Sequence, residues 1–199
     1  IPDEMRRSGY EYLRATLRHH LSLADILRYD HVIGLHRLYW VPDGFSAREG
    51  IFVQYPAEEL YAILSLESHR AKSVIVGENL GTVPTRINAA MARHGIYETY
   101  VLQYEIPAEI GAAVQAPKRR SFAGLNTHDM PTFAGFLEGK DIAIQEALGI
   151  REHDDVTSAM DERRGRIEVL CLDLEARGLL EPGERAPEAV LKACLTFLA

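Results

Sequence analysis

The chain has 199 residues, with 22 Lys and Arg against 29 Asp and Glu and a formal net charge of −7. This acidic balance argues against a nucleic-acid-binding protein, which usually presents a basic face. Apolar residues make up 47% of the chain, enough for a sizeable core, yet no apolar run approaches the roughly 18 residues of a membrane span. There is no recognisable signal peptide, and the two Cys lie in apolar, helical segments. We therefore predict a reduced, cytoplasmic protein without a membrane partner.

Hydrophobic periodicity predicts helices and strands that alternate along much of the chain. Strands are predicted at residues 24–30, 73–78, 97–105 and 121–125. Helices are predicted at residues 4–20, from Pro56, at 82–95, and at about 132–138, 141–148, 153–178 and 186–198, with a long loop at 41–55. Strands separated by helices are typical of βαβ units, so the sequence predicts an α/β fold with a parallel sheet.

Three acidic residues, Asp30, Glu78 and Asp129, each stand at the end of a predicted strand. The carboxyl ends of parallel strands carry the active site in such folds. One such acid alone is usually a helix cap or a solvated loop residue, but three in matching positions predict a common cleft. Converging carboxylates suit glycosidic-bond chemistry, in which one acts as nucleophile and another as acid and base. Arg28 precedes Asp30 by two residues and shares its strand face, so we expect it to hold that carboxylate ionised and oriented.

The segments around these acids resemble the 4-α-glucanotransferases of glycoside hydrolase family 77, the amylomaltases or disproportionating enzymes. Residues 27–42 (LRYDHVIGLHRLYWVP), 76–84 (VGENLGTVP) and 126–129 (NTHD) are similar to three family motifs in the same order. Shorter segments at 54–56 and 101–103 are similar as well. Asn79 departs from the family pattern, which usually has Asp after the acid.

The resemblance implies a partial (β/α)8 TIM barrel that contains about strands 4–7. The C-terminal half of the catalytic barrel would occupy residues 1–140, and a helical segment at 141–199 would follow strand 7 and end before strand 8. The chain would then be the C-terminal part of a retaining 4-α-glucanotransferase, which moves α-1,4-glucan segments from a donor to an acceptor glucan. Because the rest of the barrel is missing, we expect the chain alone to be inactive.

The resemblance also implies a role for each residue that matches a motif. Asp30 would be the nucleophile that forms a covalent glucosyl-enzyme, Glu78 the acid and then the base, and Asp129 the residue that stabilises the transition state. The substrate-binding residues would be Arg28, His31 and His128.

The expected partner is an α-1,4-glucan or a maltooligosaccharide. No nucleic-acid partner is expected. No cofactor is expected, because the acids supply the chemistry, and the histidines show no metal-ligand spacing. Tyr39, Trp40 and Tyr55 could stack on sugar rings, although aromatic residues near strands are more often core residues. Two alternatives stay open. One is a retaining α-glucan hydrolase of the amylase kind, and the other is an inactive half-barrel that binds glucan or self-associates through its sheet edges.

Overall fold

The computed structural model describes all 199 residues, from Ile1 to Ala199. The chain divides into two units, the first made of Ile1–Thr99 and Arg119–Phe122 and the second of Tyr100–Lys118 and Ala123–Ala199. Strands and helices alternate along the chain, so the predicted α/β class is confirmed. The predicted domains, a barrel part at 1–140 and a helical segment at 141–199, stay a prediction.

Six strands and nine α-helices follow one another, with two short 3-10 turns at Val32–Leu35 and Ala47–Glu49. The strands are β1 (Ile26–Tyr29), β2 (Arg37–Trp40), β3 (Ile51–Gln54), β4 (Val74–Gly77), β5 (Tyr97–Val101) and β6 (Ser121–Gly124). The helices are α1 (Pro2–Arg7), α2 (Glu11–Leu21), α3 (Ala57–Ala71), α4 (Thr85–Arg93), α5 (Leu102–Glu105), α6 (Phe133–Glu138), α7 (Lys140–Ala147), α8 (His153–Ala176) and α9 (Pro187–Leu198). None of the helices combines the length and the apolar character needed to cross a membrane.

The main sheet has four strands in the order β1-β4-β5-β6. Strand β1 runs parallel to β4, with Tyr29 opposite Gly77, and β4 runs parallel to β5. Since β1 and β4 end at the same level, the next residue of each strand, Asp30 or Glu78, stands at one edge of the sheet. Strands β2 and β3 form a separate antiparallel pair.

The core of the first unit lies between this sheet and helices α2, α3 and α4. Leu64, Ile87 and Met91 are fully buried there. Gly77 is packed so closely that a Cβ atom at this position would lie 2.8 Å from the Met91 methyl carbon. Strand β4 can therefore approach helix α4 only because this residue has no side chain.

The core of the second unit is formed mainly by helices α6, α8 and α9. It contains both cysteines of the chain, Cys171 on α8 and Cys194 on α9, which are free thiols without exposed surface. Burial raises the pKa of the Cys171 thiol and raises that of Cys194 to about 12. Both side chains thus behave as small apolar core residues.

Three predicted elements differ from the structure. The helix predicted over residues 4–20 is interrupted after α1, because Gly9 and Tyr10 have left-handed backbone with φ of 60° and 57°. The loop predicted at 41–55 contains β3, whose Phe52 packs edge-on against Tyr39 of β2 with ring centroids 5.0 Å apart. The strand predicted over 97–105 ends at Val101, where the chain winds into α5.

Replacing Gly77 by Ala tests the close packing of β4. The added methyl group would also meet Val32 Cγ2 at 3.1 Å and Ile96 Cγ2 at 3.2 Å, so we expect the free energy of unfolding to fall by about 1–3 kcal/mol. Urea unfolding measures this loss. Gly124→Ala on β6 is the matched control, because a Cβ there meets only the Asn126 carbonyl oxygen at 3.5 Å. An equal loss in both variants would contradict the packing argument.

Glu67 on α3 provides a test by pH. Its carboxylate, 3% exposed, accepts hydrogen bonds from Arg18 Nε and Nη2, both at 2.8 Å. Hydrogen bonding to Arg18 holds the pKa of Glu67 below its usual value of about 4.5, against the opposing effect of desolvation. The stability that this pair contributes is therefore present above the unfolded-state pKa and is lost as the pH falls through the lower, folded-state pKa.

We expect Glu67→Gln to lower the free energy of unfolding at pH 7 by about 1–3 kcal/mol, because the carboxylate loses its charge-assisted hydrogen bonds. The variant should also lose less stability than the wild type between about pH 5 and pH 3. Denaturant unfolding across this range measures both effects. Glu4→Gln removes an exposed carboxylate that pairs with Arg7 at 3.0 Å and should leave the pH dependence unchanged.

Candidate active site

Asp30 directly follows β1, and its carboxylate is paired with Arg28 of the same strand. Arg28 Nη1 lies 2.6 Å from Asp30 Oδ1, and the Asp30 side chain is 72% exposed. The contact predicted from the two-residue spacing is therefore confirmed. An exposed carboxylate held by a guanidinium has a fixed orientation while one of its oxygen atoms stays open to a reactant.

Glu78 directly follows β4, and its peptide and carboxylate groups are hydrogen-bonded to main-chain groups. Its N–H donates to the Tyr29 carbonyl at 2.9 Å, and its carbonyl accepts from the Val32 N–H at 3.0 Å. Its carboxylate accepts from the His31 N–H at 2.9 Å, through Oε2, and from the Leu80 N–H at 2.8 Å, through Oε1. The structure therefore brings the Glu78 carboxylate to the residue next to Asp30.

A cavity of about 510 Å³ opens beside Asp30, within the size range of small-molecule sites. Arg28, Asp30 and His31 line it together with mostly apolar side chains from α2 and β1. A slightly larger cavity of about 570 Å³ lies at the other end of β1 and β4, next to Arg18 and Glu67. Those two side chains are engaged with each other, so the cavity beside Asp30 is the better candidate for chemistry.

Asn79, which replaces the usual Asp of the family motif, connects three elements behind Glu78. Its side-chain oxygen accepts a hydrogen bond from the Thr99 N–H of β5 at 2.9 Å. Its amide nitrogen donates to Asn88 Oδ1 of α4 at 3.0 Å. The Thr99 hydroxyl in turn donates to the Gly77 carbonyl at 3.0 Å. The residue after the acid thus fixes the end of β4 against its neighbours.

His128 and Asp129 belong to the second unit. His128 Nε2 lies 3.4 Å from Asp129 Oδ1, and the two side chains are 70% and 78% exposed. Their loop is stabilised by the Asn126 amide, which donates to the Pro131 carbonyl at 2.8 Å. The predicted convergence of Asp129 with the acids of the first unit stays a prediction.

Gln103 of α5 is a candidate that sequence reasoning recognised only as part of a family-like segment. Its side chain is 2% exposed, and neither polar atom of its amide has a hydrogen-bond partner. Buried amides usually have hydrogen-bond partners, so this unpaired amide makes Gln103 a candidate functional residue. Apart from that segment, the sequence shows only a polar residue that follows Val101 and Leu102 in a predicted strand.

The aromatic candidates divide into two kinds. Tyr39 and Trp40 are 45% and 38% exposed, so the core role expected of them is wrong. Tyr55 is partly buried and packs against the core of the first unit, as a core residue would. No group of three or more His, Cys, Asp or Glu side chains is arranged to hold a metal ion.

Asp30 and Glu78 follow two parallel strands at the same edge of the sheet, the edge at which α/β enzymes usually carry their active site. A family model described as 4-alpha-glucanotransferase, glycoside hydrolase family 77, matches residues 1–194. The chain belongs to this family.

Individual relatives agree with this assignment. The chain is 34% identical over 197 residues to a 4-alpha-glucanotransferase of Mycobacterium tuberculosis, covering 96% of this chain and 27% of that protein. It is 31% identical over 181 residues to a 4-alpha-glucanotransferase of Haemophilus influenzae, covering 91% of this chain and 26% of that protein. The chain therefore spans about a quarter of the length of these relatives.

Solved structures show the same fold. An amylomaltase from Corynebacterium glutamicum matches with a TM-score of 0.86 and 29% identity, over 98% of this chain and 29% of that one. An amylomaltase from Streptococcus agalactiae, solved in complex with acarbose, matches with a TM-score of 0.68 and 18% identity, over 97% and 34%. The α/β architecture is thus that of a partial (β/α)8 barrel, as predicted.

Substitutions of Asn79 test its structural role. Asn79→Ala leaves the partly buried Thr99 N–H without an acceptor, so we expect a loss of about 1–3 kcal/mol in the free energy of unfolding. Asn79→Asp keeps an oxygen for that N–H, and the Asn88 amide can rotate to donate to the other one, so its loss should be below about 1 kcal/mol. Thermal and urea unfolding measure both variants. Equal losses would show that the Thr99 contact is not the stabilising one.

Proposed function

We propose that the protein containing this chain is a retaining 4-α-glucanotransferase. The observation that carries the proposal is the arrangement at the ends of β1 and β4. An arginine-paired Asp30 stands beside Glu78, whose carboxylate is bound to the peptide that follows Asp30. Retaining glycosidases need two carboxyl groups about 5–5.5 Å apart, one as nucleophile and one as acid and base. Family membership supports the same conclusion.

In the first step, an Asp30 carboxylate oxygen forms a bond to the anomeric carbon of an α-1,4-glucan. The bond from that carbon to the leaving O4 breaks, and O4 takes a proton from the Glu78 carboxyl group. Arg28, whose Nη1 lies 2.6 Å from Asp30 Oδ1, orients Asp30 for the attack. Asp129 stabilises the positively charged transition state, while His31 and His128 contact the sugar.

In the second step, the 4-hydroxyl of an acceptor glucan attacks the anomeric carbon of the glucosyl-enzyme. The Glu78 carboxylate takes the proton of that hydroxyl, and the bond to Asp30 breaks, which restores both carboxyl groups. Two inversions give net retention of the α configuration. Exclusion of water while the acceptor binds separates transfer from hydrolysis.

The domain organisation, the substrates and the location of the whole protein follow from the same assignment. Residues 1–140 form part of the catalytic barrel, and residues 141–199 form a helical segment after it. The substrates are α-1,4-glucans or maltooligosaccharides, without a cofactor. The two buried, unbridged thiols support a cytoplasmic location, where cysteines stay reduced.

Carboxylate substitutions in the full-length protein test the proposal. Asp30→Asn removes the nucleophile, and Glu78→Gln and Asp129→Asn remove the acid/base and the stabilising charge. We expect each to lose at least about 100-fold in the rate of glucose release from maltotriose with growth of longer glucans. Arg7→Gln, at the surface of α1, serves as a control for handling and expression. Near-normal turnover of Asp30→Asn would show that Asp30 is not the nucleophile. A net gain of reducing ends with the unsubstituted protein would indicate a hydrolase.

A further inference from the structure

We propose that His31 is a positioning residue whose main-chain N–H, presented by left-handed backbone, holds the Glu78 carboxylate beside Asp30. This role belongs to the peptide group and is distinct from any contact that the imidazole makes with a sugar. It rests on the proposed function, in which Asp30 and Glu78 are nucleophile and acid/base. The role is inferred from a local irregularity in the pairing of β1 with β4.

The irregularity is a one-residue bulge at His31. The Val74 N–H donates to the Asp25 carbonyl at 2.8 Å, and the Glu78 N–H donates to the Tyr29 carbonyl at 2.9 Å, as in a regular parallel ladder. The same ladder would continue with the His31 N–H donating to the Glu78 carbonyl. Instead, the N–H of Val32 takes that place at 3.0 Å. The bulge therefore frees one N–H group at the end of the two catalytic strands.

The freed N–H is used by the side chain of Glu78. His31 has φ of 48° and ψ of 59°, the left-handed conformation, and its N–H points to Glu78 Oε2 at a distance of 2.9 Å. The Leu80 N–H binds the other oxygen, Oε1, at 2.8 Å. Each carboxylate oxygen keeps a second lone pair for a proton or a reactant. The two peptide donors thus fix the orientation of the carboxyl group without blocking it.

The hydrogen bond from the His31 N–H to Glu78 Oε2, called the His31 clamp below, also sets the spacing of the two carboxyl groups. Asp30 directly precedes His31, so the donor N–H that holds Glu78 is part of the peptide bond that Asp30 itself forms. Moving this peptide moves both acids with respect to each other. A retaining mechanism depends on that separation, which gives the His31 backbone a direct effect on protonation of the leaving group.

The side chain at position 31 therefore matters through its backbone preference. His, Asn and Asp are enriched several-fold in left-handed backbone, whereas a β-branched residue is a genuine outlier there. Left-handed backbone costs an ordinary L-residue roughly 1–2 kcal/mol, equivalent to about 5- to 30-fold in population. His31→Asn and His31→Val both remove the imidazole, and they differ in their ability to keep the clamp.

The experiment compares these two variants of the full-length protein on two donors. With maltotriose, O4 leaves only when Glu78 protonates it. With α-maltosyl fluoride, the bond from the anomeric carbon to fluorine breaks as Asp30 attacks, and fluoride departs with the electron pair without needing a proton. The value of kcat/KM for glucose release or fluoride release covers bond cleavage in each case.

On maltotriose, we expect kcat/KM of His31→Val to be about 10-fold below that of His31→Asn. This factor follows from the free-energy cost of left-handed backbone for a residue that disfavours it. On α-maltosyl fluoride, the two variants should agree within about twofold, because no proton is transferred. Equal values on maltotriose would overturn the proposal. An equal deficit on both donors would also overturn it, because it would indicate a displaced nucleophile or a general loss of structure.

Two further variants keep the outcomes separate. If His31→Val does not fold, as judged by circular dichroism, His31→Ala replaces it, since Ala also disfavours left-handed backbone. Asp30→Asn should abolish fluoride release. If it does not, the proposed nucleophile is wrong, and this result is distinguishable from a failure of the His31 clamp, which concerns only the donor that needs protonation.

Discussion

The parallel register of β1 with β4 is the constraint on which the candidate site depends. Tyr29 lies opposite Gly77, so the next residue of each strand, Asp30 or Glu78, stands at the same level. Side chains alternate between the two faces of a strand, and a slip by one residue would turn an acid to the opposite face. The missing side chain of Gly77 lets helix α4 pack on β4 and secure this register. The relative position of Asp30 and Glu78 therefore depends on the close packing of β4 against α4.

Much of the fold could be predicted from the sequence because its strands are continuous apolar runs and its helices have one apolar face. Strands β2 and β3, which pair with each other, were the exceptions. The start of β3 at Ile51 follows Gly50, whose missing side chain makes room for the Tyr39 ring, and Tyr39 packs against Phe52 across the hairpin. These contacts join residues 11 and 13 positions apart, beyond the spacing that a strand or helix periodicity describes. Gly and Pro residues in the same stretch favoured a loop instead.

The candidate site, like the fold, has contacts that local sequence spacing predicts and contacts that only the folded chain creates. The pairing of Arg28 with Asp30 was predictable, because two residues on one strand face are neighbours by geometry. The contact of the His31 N–H with Glu78 was not, because it depends on backbone dihedral angles and on an N–H group that every residue except proline has. Gln103 was predicted only as part of a family-like segment, because the burial of its amide arises in the folded chain. Sequence patterns identify side chains that can react, whereas the groups that orient them are set by the folded chain.

The two thiols of the second unit provide it with a built-in reporter. Cys171 and Cys194 have no exposed surface, and burial raises the pKa of both. A thiol reagent that attacks only the thiolate therefore reacts with them when helices α8 and α9 separate. Since the first unit contains no cysteine, the labelling rate follows the opening of the second unit alone. The natural chain thus allows the local stability of one unit to be measured with no introduced probe.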